Sequence, residues 1–157
     1  MNTLTSHISY KKGFTLVELL VTITIVLVLL AISVSAFINT REVRALEKEV
    51  DTVAHLLEET RSLTLASKND TYYGVNIDTT NNTVTIIIAG DTNNIYREVV
   101  LDNYVTISEI NSASPTTNFE RLTGKVSVSG DIIISLTSDP TQTKTIILHP
   151  TGLVDVQ

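Results

Sequence analysis

The chain has 157 residues, a formal net charge of −6 and no cysteine. That length leaves room for one modest domain beside a membrane segment. Without cysteine no disulfide can support it, so its stability has to come from packing. An acidic surface repels phosphate backbones at long range, which disfavours nucleic-acid binding by bulk electrostatics, and no basic run offsets it.

The first element in chain order is Lys11-Lys12-Gly13 followed by an apolar run, Phe14 to Ile38, 25 residues in which Glu18 is the sole charge. As a helix this run is roughly 37 Å long at 1.5 Å per residue, enough to cross a hydrocarbon core of ~30 Å with some tilt. An ionised Glu inside it costs about 2.5–3.5 kcal/mol on insertion scales. A cost of that size calls for a partner charge, and an intramembrane carboxylate is by default a functional-site hypothesis.

Gly13-Phe14-Thr15-Leu16-Val17-Glu18, with its short basic leader and long apolar continuation, resembles the processing and assembly signature of type IV pilins and pseudopilins. The resemblance implies cleavage by a prepilin peptidase between Gly13 and Phe14, methylation of the Phe14 amine, and a role for Glu18 in docking subunits into a filament. The implied partners are other pilin or pseudopilin subunits, the prepilin peptidase and the cytoplasmic membrane, crossed once with the C-terminal part outside the cytoplasm. Cleavage would create a cationic amine at Phe14 that can pair with Glu18 of a neighbour, so two costly membrane charges offset each other. Loss of Lys11 and Lys12 would leave 9 basic against 17 acidic residues, a net charge of −8. Two other readings compete. A secretory signal peptide would be cut near Val34-Ser35-Ala36, but its apolar core usually spans only ~7–15 residues. A plain signal anchor would retain Lys11 and Lys12 inside and leaves Glu18 unexplained.

From Asn39 to Lys68 the helical pattern continues with one apolar face, Val43, Leu46, Val50, Val53 and Leu57, and Glu42, Glu47, Lys48, Glu49, Glu58, Glu59 and Arg61 on the remainder. The spacing predicts a helix packed on a sheet, with a coiled coil as the alternative. From Tyr72 onward the pattern predicts strands at 72–78, 83–89, 95–101, 104–110, 125–128, 132–137, 145–149 and 153–156, separated by Asn, Asp, Gly, Pro and Ser breaks. Asn111 to Asn118 reads as a mobile loop. The fold class expected is α+β: a long N-terminal helix, transmembrane in its first half and amphipathic in its second, packed on an antiparallel sheet. The domain boundaries expected are 1–13 for the leader, 14–38 for the membrane helix, 39–68 for its amphipathic continuation and 69–157 for the β-rich domain.

Phe119 to Gly124, Ile132 to Leu136, Lys144 to Leu148 and Gly152-Leu153-Val154 resemble the closing strands of the FimT/GspH family of minor pilins and pseudopilins. The basic residue usual after the final Gly is replaced by Leu153. Ser33 and Ser35 occupy the part of the membrane helix where many major pilins carry a proline, which fits a minor subunit.

No catalytic constellation is legible. His7, His55 and His149 are isolated, and no nucleophile elbow, phosphate loop or metal-binding loop is present. Asp78, Asp91, Asp102, Asp131 and Asp139 lie at turns, where a carboxylate hydrogen-bonds the backbone. No enzyme activity, cofactor or metal is expected. The reading is a filament subunit of a pilus or of a type II secretion pseudopilus. The rivals are a DNA-uptake or adhesion module displayed on a pilus, and a signal-anchored external domain that does not polymerise.

Overall fold

The computed structural model describes residues 13–66, 68–112 and 114–157, with side chains 34–39 and 68 excepted. One helix, α1, spans Leu16–Leu65. The chain divides into two compact units, one ending at Asn39 and the other covering Thr40–Gln157.

In the first unit the window Leu16–Ser33 has a mean hydropathy of 2.7 and buries nothing inside the protein. Such an all-round apolar helix is stable only where every backbone group is satisfied internally. Its polar side chains obey the same rule: the Thr22, Thr24 and Ser33 hydroxyls donate to the Leu19, Leu20 and Leu29 carbonyls at 2.8 Å each.

In the second unit the same helix changes character. Leu46, Val50, Val53, Leu56 and Leu57 are buried, and Thr60 and Thr64 extend that face toward the helix end. Val43, expected on the stripe, is 39% exposed, and Glu49, expected outside it, is buried. At ~100° per residue Glu49 falls between Val53 and Leu56 at the rim of the stripe, which explains its burial. Its carboxylate is held by Lys48 Nζ at 2.8 Å. The helix stops at Leu65, short of Lys68, and a 3-10 turn follows at Lys68–Asp70 in which Asn69 takes a positive φ of 56°.

Two four-stranded antiparallel sheets follow, where the sequence pattern implies one. The first is ordered β3-β2-β1-β5 and the second β4-β6-β7-β8, with β1 at Tyr73–Asp78, β2 at Thr83–Ile88, β3 at Asp91–Val100, β4 at Val105–Asn111, β5 at Thr116–Asn118, β6 at Gly130–Leu136, β7 at Thr143–Leu148 and β8 at Val154–Val156. Alternate residues point inward, Tyr73, Val75 and Ile77 from β1 and Ile132, Ile134 and Leu136 from β6, as a period of two requires. They join the helix stripe in a single hydrophobic cluster, so sheet packing, not a coiled coil, occupies the stripe. Asn82 ties the two sheets together: its amide donates to Val105 O at 2.8 Å and accepts from Ile107 N–H at 2.9 Å. Thr64 ties the helix end to β1, its hydroxyl accepting from Tyr73 N–H at 2.9 Å.

Three strand expectations need correction. The polar gap 111–118 contains β5, which pairs with β1 from Asn76 to Gly74. Gly74 makes this approach possible, because a Cβ there would collide with the Asn118 side chain and the Thr117 carbonyl. Residues 125–128 are not a regular strand: two backbone bonds, from Glu120 N–H to Lys125 O and from Ser127 N–H to Asn118 O at 2.8 Å each, are interleaved with side-chain ones. Asn118 N–H donates to Ser127 Oγ at 2.9 Å, Thr117 Oγ1 donates to Val128 O at 2.7 Å, and a lone bridge joins Phe119 to Val126. Strand β3 starts at Asp91 rather than Ile95, its polar first residues joined to β2 through irregular register between Ile86 and Ile88.

Leu57 is fully buried. Leu57→Ala in a fragment spanning residues 40–157 should cost about 2–5 kcal/mol, whereas Val43→Ala should stay within about 0.5 kcal/mol. Urea denaturation checks both, and equal costs would remove the helix stripe as the organising contact.

Candidate processing and assembly site

The local sequence sets the start of the helix. Gly13, Phe14 and Thr15 are non-helical, and the Thr15 carbonyl accepts the first helical bond, from Leu19 N–H at 3.1 Å. Thr15 Oγ1 accepts from Glu18 N–H at 3.2 Å, which makes Thr15 the N-cap. Thr15 is absent from the sequence expectations, although Thr15-x-x-Glu18 has the capping-box spacing that marks a helix start. Glu18 is therefore the third helical residue, in the first turn, where a carboxylate complements the partial positive charge of the exposed N–H groups. In a hydrocarbon surround such N–H groups would find no water, and the Thr15 cap would carry more weight than at a wet surface.

The three expected residues fall within six positions, and the structure describes each. A Cβ on Gly13 would meet no atom within 4 Å, and Phe14 is 80% exposed. The Gly13–Phe14 bond thus lies in open, non-helical chain of the kind a peptidase engages. The rival cleavage region Val34-Ser35-Ala36 is helical throughout. Glu18 is exposed, like the apolar helix around it. Lys11, Lys12 and His7 lie outside the described residues.

Elsewhere the acidic turns work locally. Asp78 accepts from Asn81 Nδ2 at 2.6 Å and from the Thr80 and Asn81 N–H groups at 2.8 and 3.1 Å. These bonds, the Asn81 side chain foremost, hold its carboxyl below the ordinary value of 3.8. Asp139 is held low in the same manner, first by the Thr141 hydroxyl. Each carboxylate is already occupied by its own turn. Among the described residues no three His, Cys, Asp or Glu side chains converge. His55 faces Glu58 at 3.5 Å and His149 faces Asp155 at 2.8 Å, each an isolated pair.

Residues 8–34 match the model of the prokaryotic N-terminal methylation motif. The chain thus carries that motif across the start of α1, in an α+β fold whose long helix packs on antiparallel sheets. That fold is similar to the structure of the minor pseudopilin EpsH from the type 2 secretion system of Vibrio cholerae. The TM-score is 0.56 at 12% identity, covering 71% of this chain and 95% of that one. At such identity the likeness is one of fold. Comparison with curated protein sequences found no match.

The turn carboxylates give a pH signature with a defined sign. A depressed folded value means that the contribution of Asp78 is complete above the ordinary value of 3.8 and is lost as pH falls through the lower folded value. The stability gap between wild type and Asp78→Ala, measured by denaturation of the 40–157 fragment, should therefore be constant from neutral pH to just above 4 and shrink below it. A gap that widens on acidification would contradict the hydrogen bonds assigned to the turn.

Proposed function

We propose that this chain is a minor pilin or pseudopilin, cut between Gly13 and Phe14 by a prepilin peptidase, methylated at Phe14, and built into a type IV pilus or a type II secretion pseudopilus. One observation carries the reading: the methylation motif at 8–34 coincides with an open Gly13–Phe14 bond, an N-cap at Thr15 and a first helical turn containing Glu18. Cleavage removes residues 1–13 and leaves the cap intact, so the mature helix keeps its start. The segment 14–38 anchors the subunit in the cytoplasmic membrane by a single pass. Residues 39–68 continue the helix toward its close, and 69–157 supply the β domain outside the cytoplasm.

Within this reading Glu18 pairs with the Phe14 ammonium of an adjacent subunit, and the apolar helix supplies the remaining contact area. A buried ion pair gains little over apolar packing, but removing one partner leaves the other charge uncompensated at a cost of about 3–5 kcal/mol. Partner choice is the consequence, because a chain lacking the carboxylate inserts readily yet docks poorly.

Two measurements test this. Intact mass of the membrane-extracted protein should correspond to a chain beginning at an N-methylated Phe14, and a mature start at Phe37 would establish the signal-peptide alternative instead. Glu18→Gln should leave the membrane level unchanged and lower recovery with sheared filaments by at least about tenfold, as an unpaired buried charge implies. Wild-type incorporation at equal membrane level would remove Glu18 from assembly.

A further inference from the structure

Arg61, in the last turns of the helix, is the single arginine of the five that is not exposed. Arg97 and Arg121 are more open to water, yet both are paired, the first with Glu59 at 2.7 Å and the second with Asp70 at 2.6 Å. Arg61 forms no ion pair among the described residues, and Glu58, three positions earlier, meets His55 at 3.5 Å instead. Withdrawing a cation from water without a counter-charge is costly, so the half-buried guanidinium lacks the anion that its surroundings call for.

Two glycines hold the side chain where it is. Gly124 and Gly152, from separate loops, are buried and take positive φ of 66° and 78°. A Cβ on Gly124 would stand 2.9 Å from Arg61 Nε, and one on Gly152 would stand 3.0 Å from it. The Gly124 carbonyl accepts from Nε at 3.4 Å, whereas the two Nη groups, which form the fork that fits a carboxylate, have no hydrogen bond among the described residues. Arg61 lines a cleft of about 470 Å³ with Leu65, Leu153 and Val154, and Ser62 and Glu58 complete its polar side. That volume lies within the range of small-molecule sites, roughly 300–1,000 Å³.

We infer that this cleft is a binding site for a single carboxylate joined to an apolar group of about leucine size, as in the C-terminus of a peptide or a free alkyl acid. The guanidinium takes the carboxylate, and Leu65 and Leu153, 39% and 56% exposed in its absence, cover the apolar part. Glu58 in the same cleft and the net charge of −6 repel a ligand with several negative charges, which sets phosphate-rich molecules aside. The site lies wholly within the unit Thr40–Gln157 and does not depend on the filament reading.

Equilibrium dialysis of labelled N-acetyl-leucine against the full-length protein in non-ionic detergent tests the site. Binding should saturate, and N-acetyl-leucinamide, the same molecule without the charge, should compete at least about tenfold less well. Arg61→Gln should weaken binding by a similar factor. Leu153→Asp places a carboxylate at an exposed position in the cleft wall, so it should also abolish binding while circular dichroism and thermal midpoint stay as in the wild type. Equal competition by acid and amide, wild-type affinity of either variant, or no saturable binding of N-acetyl-leucine or of hexanoate would overturn the inference. Preference for N-acetyl-leucine over hexanoate assigns the peptide C-terminus as the source and the reverse assigns a free alkyl acid, and the site stands in both cases.

Discussion

The stripe Leu46, Val50, Val53 and Leu57 is the contact on which the second unit depends. Two sheets of four strands each present one apolar face, and both faces need cover in a chain with no disulfide and few aromatic residues. A single amphipathic helix supplies it, joining residues of both sheets in one cluster. The contribution is large compared with other local terms, since burial of each Leu or Val gives about 1.5–3 kcal/mol against a few tenths for a surface pair. Once the stripe is seated, Thr64 meets the Tyr73 backbone, and Asn82 closes the step from one sheet to the other. Both are buried or half-buried polar contacts that act only in this arrangement.

The first unit obeys a different rule. Its helix has no stripe, because an apolar surround places no side at a disadvantage, and its hydroxyls are turned back onto their own carbonyls. What remains unmatched is Glu18. It is the sole charge of the apolar segment, and a hydrocarbon surround would penalise it by about 2.5–3.5 kcal/mol. The Thr15 cap fixes the residue in the first helical turn, beside the chain end that cleavage would turn into an ammonium.

The two units thus differ in what the helix surface meets. In the first the helix surface is apolar on every side, with Glu18 its one charge. In the second, the core consumes the apolar face of the helix and leaves a charged one. The acidic turns take no part in this: Asp78, Asp91 and Asp139 spend their oxygens on nearby backbone and side-chain groups, which is why a chain so rich in carboxylates gathers no acidic site among the described residues.

Much of this was legible in residue order alone, for a common reason. The apolar segment and the period of the helix stripe are local patterns, set by backbone geometry and by the solvent each face meets. The main strands were legible for the same reason, since alternation in β1 and β6 follows the pleat. Tertiary contact decided the remainder. Nothing in Thr116-Thr117-Asn118 alternates, yet it becomes a strand because β1 offers an unpaired edge and Gly74 leaves room. Lys125 to Val128 alternates correctly yet forms only a lone bridge, its few backbone bonds interleaved with those of the Thr117 and Ser127 hydroxyls. The link between the two sheets, Asn82 reaching across to β4, is a contact 23 to 25 residues away in sequence. Local spacing carries no record of such a partner, because hydrogen-bond pairing is settled by which backbone groups the completed core brings together.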